Sequence, residues 1–214
     1  MKNSVIITVD SACDLPESLL DEYQIRSVPL TIFEEEKAYL DGVNFHPDDI
    51  YRCYHSKKIL PRTAGINPND MNNFFSQFVS DGYEVVHIDI SSDLSSTFQN
   101  ACTAAAELKG VHVVDSRQLS VGEALVAIEG CRLRDKRLDA AEIAAHLRSF
   151  TEKIDSSFVL GTLEFMRKGG RCSGITALGS NLLGIRPCLE VKNGCRALAL
   201  SIAAISITYT ASTL

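Results

Sequence analysis

A chain of 214 residues, 45% apolar and 22% charged, has the ordinary balance of a folded globular protein and the length of one large domain or one domain plus part of a second. Its net charge of −6 argues against a nucleic-acid binder, because neutralising phosphates takes an excess of lysine and arginine. No run in the first 190 residues approaches a membrane span, and the short apolar run at residues 5–9 ends in Asp10 with no small-residue cleavage site, so neither stable membrane insertion nor export is expected.

Residues 5–9 have the β-branching and length of a fully buried strand. Asp10-Ser11-Ala12-Cys13-Asp14-Leu15-Pro16-Glu17 reads as a turn into a helix over 18–23, with Asp14 near the cap and Pro16 in the first turn. A single strand is expected over 25–33, a turn at Asp41-Gly42, and a helix from Pro47 to about residue 57. Residues 60–68 read as a loop, leading into a helix over about 68–80 capped by Asn67. A strand over 83–90, the loop Ser91-Ser92-Asp93-Leu94-Ser95-Ser96-Thr97, an alanine-rich helix to about residue 108 and a strand over 111–114 follow. Helices over about 119–135 and 140–153 complete a three-layer α/β domain with a parallel sheet, assigned to residues 1–155.

A partial second α/β domain is assigned to residues 156–214. It has a strand over 158–161, the segment 163–167, the run Lys168-Gly169-Gly170-Arg171, a short helix over 176–183, and a strand over 187–191 ending in the hairpin signal Lys192-Asn193-Gly194. From about residue 197 the tail carries no charge and reads as a strand or a disordered end, its serines and threonines arguing against a membrane anchor. The seven cysteines are odd in number and never spaced as CxxC, so they read as core thiols of a reducing cytoplasm.

Motifs of known chemistry are missing: no Walker loop, no dinucleotide GxGxxG, no HExxH, no cysteine–histidine metal spacing and no GxSxG elbow. The five histidines are dispersed; His87 and His112 fall in expected strands as core residues, while His46 and His55 flank a helix and face solvent. With no acid–base pair to name, a binder without catalytic residues, cofactor or metal is expected. What the sequence does offer is hydroxyls at strand-to-helix junctions, where a parallel sheet places its ligands and helix N-termini suit anions. Ser11 and Ser116 are each accounted for by helix capping. The loop 91–97 carries five hydroxyls, more than a cap uses.

Several of these stretches resemble one family. Asp10-Ser11-Ala12-Cys13-Asp14-Leu15-Pro16 resembles DS-x-x-DLP, Pro61-Arg62-Thr63 through Pro68 resembles P-x-TSQPS, and Ile90 through Ala101 resembles ISS-x-LSGTYQSA. Val114-Asp115-Ser116 is similar to a V-V-D-S strand end, residues 163–173 to L-x-x-L-x-KGGR-I-S, and Ile185-Arg186-Pro187-Cys188-Leu189 to IKPIL. In this order, over residues 5–194, they are the motifs of the DegV family. The resemblance implies a two-domain α/β carrier in the cytoplasm, with a long-chain fatty acid such as palmitate in a tunnel between the domains, presented to a fatty acid kinase that makes the acyl-phosphate. Carried over by position, Thr63 and Ser95 would hold the carboxylate, with Ser92 and the amides near Leu94 and Ser96 in support, Ser91 and Ser96 counted among the ligand-binding residues, and Arg171 facing the head group or the kinase.

The chain departs from the motifs at Ala64-Gly65-Ile66-Asn67, which replaces SQPS, and at Ser96, which replaces a glycine. After Arg196 the resemblance is expected to stop, leaving the second domain without the family's ending and its head-group histidine. Two other readings remain: a phosphoryl-transfer enzyme related to dihydroxyacetone kinase, with the serine loop as a phosphate cradle, and a non-catalytic α/β interaction domain.

Overall fold

The structure is a computed structural model and describes residues 4–160, 164–169, 186–192 and 195–203. Strand β1 (Ser4–Asp10) is buried increasingly toward its carboxyl end, as its β-branched run requires. A single 3-10 turn (Ser11–Cys13) follows, with the Asp10 carboxylate accepting the Ala12 N–H, and then helix α1 (Glu17–Glu22). Asp14 closes the 3-10 turn in a left-handed conformation with φ 55°, while α1 starts behind Pro16 without a side-chain cap. The expected capping by Asp14 is therefore corrected: its short polar side chain tolerates the left-handed region, and the turn uses it there.

The single strand expected over 25–33 is two. β2 (Arg26–Val28) pairs parallel with β1, and β3 (Thr31–Glu34) leaves for another sheet. Pro29, with no N–H to give to a ladder, lies at the break. β3 pairs antiparallel with β4 (Lys37–Leu40), and helix α2 (Pro47–Lys57) comes next. The expected loop over 60–68 contains β5 (Arg62–Ala64), which pairs antiparallel with β3 through Ile32↔Thr63. Thr63 is thus held on a strand.

Helix α3 (Pro68–Ser80) starts as expected, Asn67 accepting the Asp70 N–H. Then come β6 (Tyr83–Asp89), α4 (Thr97–Ala105), β7 (Val111–Asp115), α5 (Val121–Asp135) and α6 (Ala140–Thr151). The parallel sheet has the order β2-β1-β6-β7, so the chain steps from β1 one way to β2 and from β6 the other way to β7. Such a reversal opens a crevice beyond the carboxyl ends of the two central strands. Register brings Asp89 opposite Asp115 and Asp10 opposite Val28 along that edge.

Two cores confirm the three layers. Ile7, Val9, Val86, Ile88 and Val114 pack under α5 and α6 with Val126, Ile143 and Leu147. On the other face Val28, Val85 and Val113 pack with Met71, Phe75 and Ala101 of α3 and α4. Strand alternation, which sends successive side chains to opposite faces, separates the two sets.

The last elements are β8 (Ser156–Val159), α7 (Glu164–Lys168), β9 (Arg186–Lys192) and β10 (Cys195–Ala203). They form an antiparallel sheet of order β10-β9-β8, with Lys192 opposite Cys195 at the expected hairpin. The uncharged stretch after Arg196 is a strand as far as Ala203. The helix expected over 176–183, and Arg171, lie outside the described residues. Among the described residues no helix is long and apolar enough to cross a membrane.

Candidate functional site

The loop joining β6 to α4 is tied by its backbone to the ends of both neighbouring strands, β1 and β7, and to the loop that follows β7. The Ile90 N–H donates to Asp10 Oδ2 at 2.9 Å, the Ser92 N–H to Asp115 Oδ1 at 3.2 Å, and the Ser91 N–H to the Gln118 carbonyl at 2.8 Å. The Ser91 carbonyl in turn accepts from the N–H groups of Leu94 and Ser95, which curls the loop back. Gln118 extends the anchorage to β8: its amide donates to the Ile154 carbonyl at 2.9 Å and its Oε1 accepts the Ser156 hydroxyl at 2.6 Å. Sequence patterns gave no hint of Gln118, a polar residue that is 1% exposed.

The three serine-bearing junctions behave differently. Ser11 donates to Asp41 Oδ2 at 2.7 Å and accepts the Leu30 N–H at 3.0 Å. Ser116, fully buried, donates to the Gln118 carbonyl and accepts the Gln118 N–H, each at 3.1 Å. In the middle junction Ser95 Oγ lies 2.8 Å from Thr97 Oγ1 and accepts the Thr97 N–H at 3.2 Å. Thr97 is fully buried, so it holds Ser95 from behind. Ser96 stands at the N-cap of α4 yet makes no capping bond, and its side chain is exposed.

Beyond this edge lies a cavity of about 770 Å³, within the range of small-molecule sites, roughly 300–1,000 Å³. Loops at the edge of the parallel sheet contribute Leu30, Ile90, Leu94 and Leu119, and the sheet of β8, β9 and β10 with α7 contributes Phe158, Met166, Leu189 and Val191. The hydroxyls of its lining belong to Thr63, Ser95 and Ser96, and no charged residue is among the described residues that line it. Thr63, from β5, and Ser95, from the α4 loop, thus share one cavity despite their separation in sequence. Ser91 is fully buried and Ser92 exposed, and neither lines the cavity. Among the described residues no group of three or more His, Cys, Asp and Glu could hold a metal ion.

Behind the serine loop lies a buried set of acids. Asp10, Asp89 and Glu123 are all fully buried, beside His87. Asp10 accepts the N–H groups of Ala12 and Ile90, but burial, and then the neighbouring Asp89, push its carboxyl up to about 7. Neither oxygen of Glu123 has a hydrogen-bond partner; burial, then Asp10, Asp89 and Asp14, hold its carboxyl well above the usual carboxylate range. His87 Nδ1 meets Thr8 Oγ1 at 2.8 Å, as a core histidine should. Its Nε2 is 3.3 Å from Asp89 Oδ1, but neither atom has a hydrogen-bond partner, so we read this pair as a contact whose alignment is poor.

A parallel sheet with an apolar, hydroxyl-bearing cavity beyond its carboxyl edge, closed over by an antiparallel sheet, defines an α/β protein with a ligand-sized space beside its sheet edge. The chain belongs to the DegV family: the family model described as "Uncharacterised protein, DegV family" matches residues 4–200. The match passes Arg196, which corrects the expectation that the resemblance stops there. A DegV domain-containing protein of Clostridium acetobutylicum is 32% identical over 190 residues, 88% of this chain and 68% of that protein. The structure resembles that of a fatty-acid-binding DegV family protein from Thermus thermophilus with a TM-score of 0.81 and 28% identity, covering 95% of this chain and 71% of the other. It also resembles a stearic-acid-binding protein from Eubacterium ventriosum, with a TM-score of 0.80 and 26% identity over 95% of this chain and 71% of the other.

Proposed function

We propose that this chain binds a long-chain fatty acid such as palmitate in the cavity, with its carboxylate at Thr63 and Ser95 and its hydrocarbon against the apolar lining. The observation that carries the reading is the joining of those two hydroxyls, from separate elements, in one otherwise greasy space. Each buried methylene is worth about 0.8 kcal/mol, so a palmitate tail of some fourteen contributes roughly 11 kcal/mol gross. Immobilisation and chain ordering take back several of those. The head group must lose water, and hydroxyl donors offset that loss while fixing its orientation. Tail length therefore sets affinity, and the hydroxyls set head-group identity.

Ser96 completes the seat, Ser91 and Ser92 shape the loop that carries it, and Arg171 faces the head group or a partner. That partner is a fatty acid kinase, to which the bound acid is presented for acyl-phosphate formation. Family resemblance supports these last two assignments. The test is extraction of the purified chain and mass spectrometry of what comes out. A stoichiometric fatty acid is expected; co-purified phosphate or nucleotide, with no lipid and no binding of added palmitate, would overturn the reading in favour of a phosphoryl-transfer protein.

A further inference from the structure

We infer that Gly65 and Ser96 are a matched pair, in which the missing side chain of one makes room for the hydroxyl of the other, and that this pair selects free carboxylic acids over their esters. The inference rests on the fatty-acid reading of the cavity and names the residues that set its head-group selectivity. A β-carbon added at Gly65 would lie 2.7 Å from Ser96 Oγ, 3.1 Å from Thr97 Oγ1 and 3.3 Å from the Thr97 nitrogen. At the first distance the Ser96 hydroxyl would have to turn away from its present position. Gly65 is not among the residues with positive φ, so a left-handed turn does not explain it. Glycine at 65 leaves the Ser96 hydroxyl its present place, where the end of β5 and the start of α4 close on each other.

What Ser96 does with that room follows from its bonds. A serine at an N-cap ordinarily turns its oxygen back to a helix N–H. Ser96 makes no such bond, and its exposed side chain lies on the cavity lining. Ser95, its neighbour, is engaged with Thr97. The Ser96 hydroxyl is thus a donor held ready for a ligand, at a point narrowed by the approach of Gly65. A carboxylate answers both features: it is compact, and its charge strengthens each hydrogen bond it accepts. An ester carries a bulkier, neutral head and gains less from the donor while meeting the narrow wall.

The test is a double-mutant cycle of Gly65→Ala, Ser96→Gly and the double variant, read by equilibrium binding of palmitate and of methyl palmitate, with thermal unfolding as a check on folding. Ser96→Gly removes atoms only, so it keeps the test open should Gly65→Ala fold poorly. The wild type is expected to prefer the acid. Each single variant should weaken palmitate binding by about tenfold or more, the size of one hydrogen bond to a charged group, and leave the ester nearly unaffected. With glycine at 96, alanine at 65 should cost markedly less, since only its approach to Thr97 remains. An equal cost of Gly65→Ala in both backgrounds, or an unchanged acid-to-ester preference in Ser96→Gly, overturns the inference while leaving fatty-acid binding intact. A wild type that binds neither ligand overturns the fatty-acid reading and this inference with it.

Discussion

The junctions after β1 and β7 and the junction after β6 begin alike, with an aspartate at the strand end and a serine close behind, yet they do opposite things. Ser11 and Ser116 each give and receive a hydrogen bond within the fold. Around Asp10 the chain buries its acid completely and ties it to two N–H groups. The β6 junction meets its backbone needs through Asp10, Asp115 and Gln118, all supplied from neighbouring elements. Its own Ser95 and Ser96 are left to face the cavity. The outer junctions thus carry much of the backbone of the middle one; Ser95 still accepts the Thr97 N–H, while Ser96 makes no capping bond.

The largest effect expected from this contrast is on the buried side. Asp10 and Glu123 are raised in the folded state, so the folded chain holds protons that the unfolded chain releases. Stability from these groups is fully present below the unfolded carboxyl range, near 3.8 for Asp10, and is lost as pH rises toward about 7. The slope is about 1.4 kcal/mol per pH unit for each such proton. Thermal unfolding between pH 5 and 7 should therefore show falling stability, and Glu123→Gln, which mimics the protonated acid, should flatten the fall. A wild-type profile that rises or stays level over this range would remove protonated Asp10 and Glu123 from the account. Next in size is the exposed side: Thr63→Val with Ser95→Ala should weaken palmitate binding by about 100-fold or more, two hydrogen bonds to a charged group, with a stability loss of about 1–3 kcal/mol because Ser95 also accepts the Thr97 N–H. Unchanged palmitate affinity would separate these hydroxyls from the ligand.

Most of the scaffold was legible in the residues, because β1, β6 and β7 are dense β-branched runs and α3 opens on the Asn67-Pro68 signal. What escaped was non-local. Arg62-Thr63-Ala64 has no strand pattern of its own and becomes β5 only by pairing with β3. Pro29, by contrast, was a local signal that should have divided β2 from β3. In the site, the family motifs picked out Thr63 and Ser95, but nothing in their neighbourhood says that the two share a cavity. Leu30, Ile90 and Leu119 line it and carry the same hydrophobicity as core residues, so composition cannot tell the two apart. Nothing in the local sequence marks Glu123, in the first turn of α5, as a buried, unpartnered acid. The fit of Ser96 against Gly65 is a matter of distance alone.

Smaller effects should follow at the outer serines, and in stability alone. Ser116→Ala leaves the buried Gln118 N–H without an acceptor, a loss of about 1–3 kcal/mol that chemical denaturation can resolve. Ser11→Ala should cost less, because Ser11 is only partly buried and water can reach the groups it leaves; the typical net value of a lost hydrogen bond is about 0.5–1.5 kcal/mol. The site makes Ser11→Ala the more telling of the two. Leu30, whose N–H Ser11 accepts, lines the cavity, so a loosened Leu30 offers a route from this junction to the ligand. Palmitate affinity should nevertheless hold, since Leu30 contributes apolar surface and β2 and β3 fix its backbone from both sides. If Ser11→Ala lowered affinity as far as Thr63→Val with Ser95→Ala does, the β1 junction would belong to the seat itself, and the division between sealed and open junctions would fail.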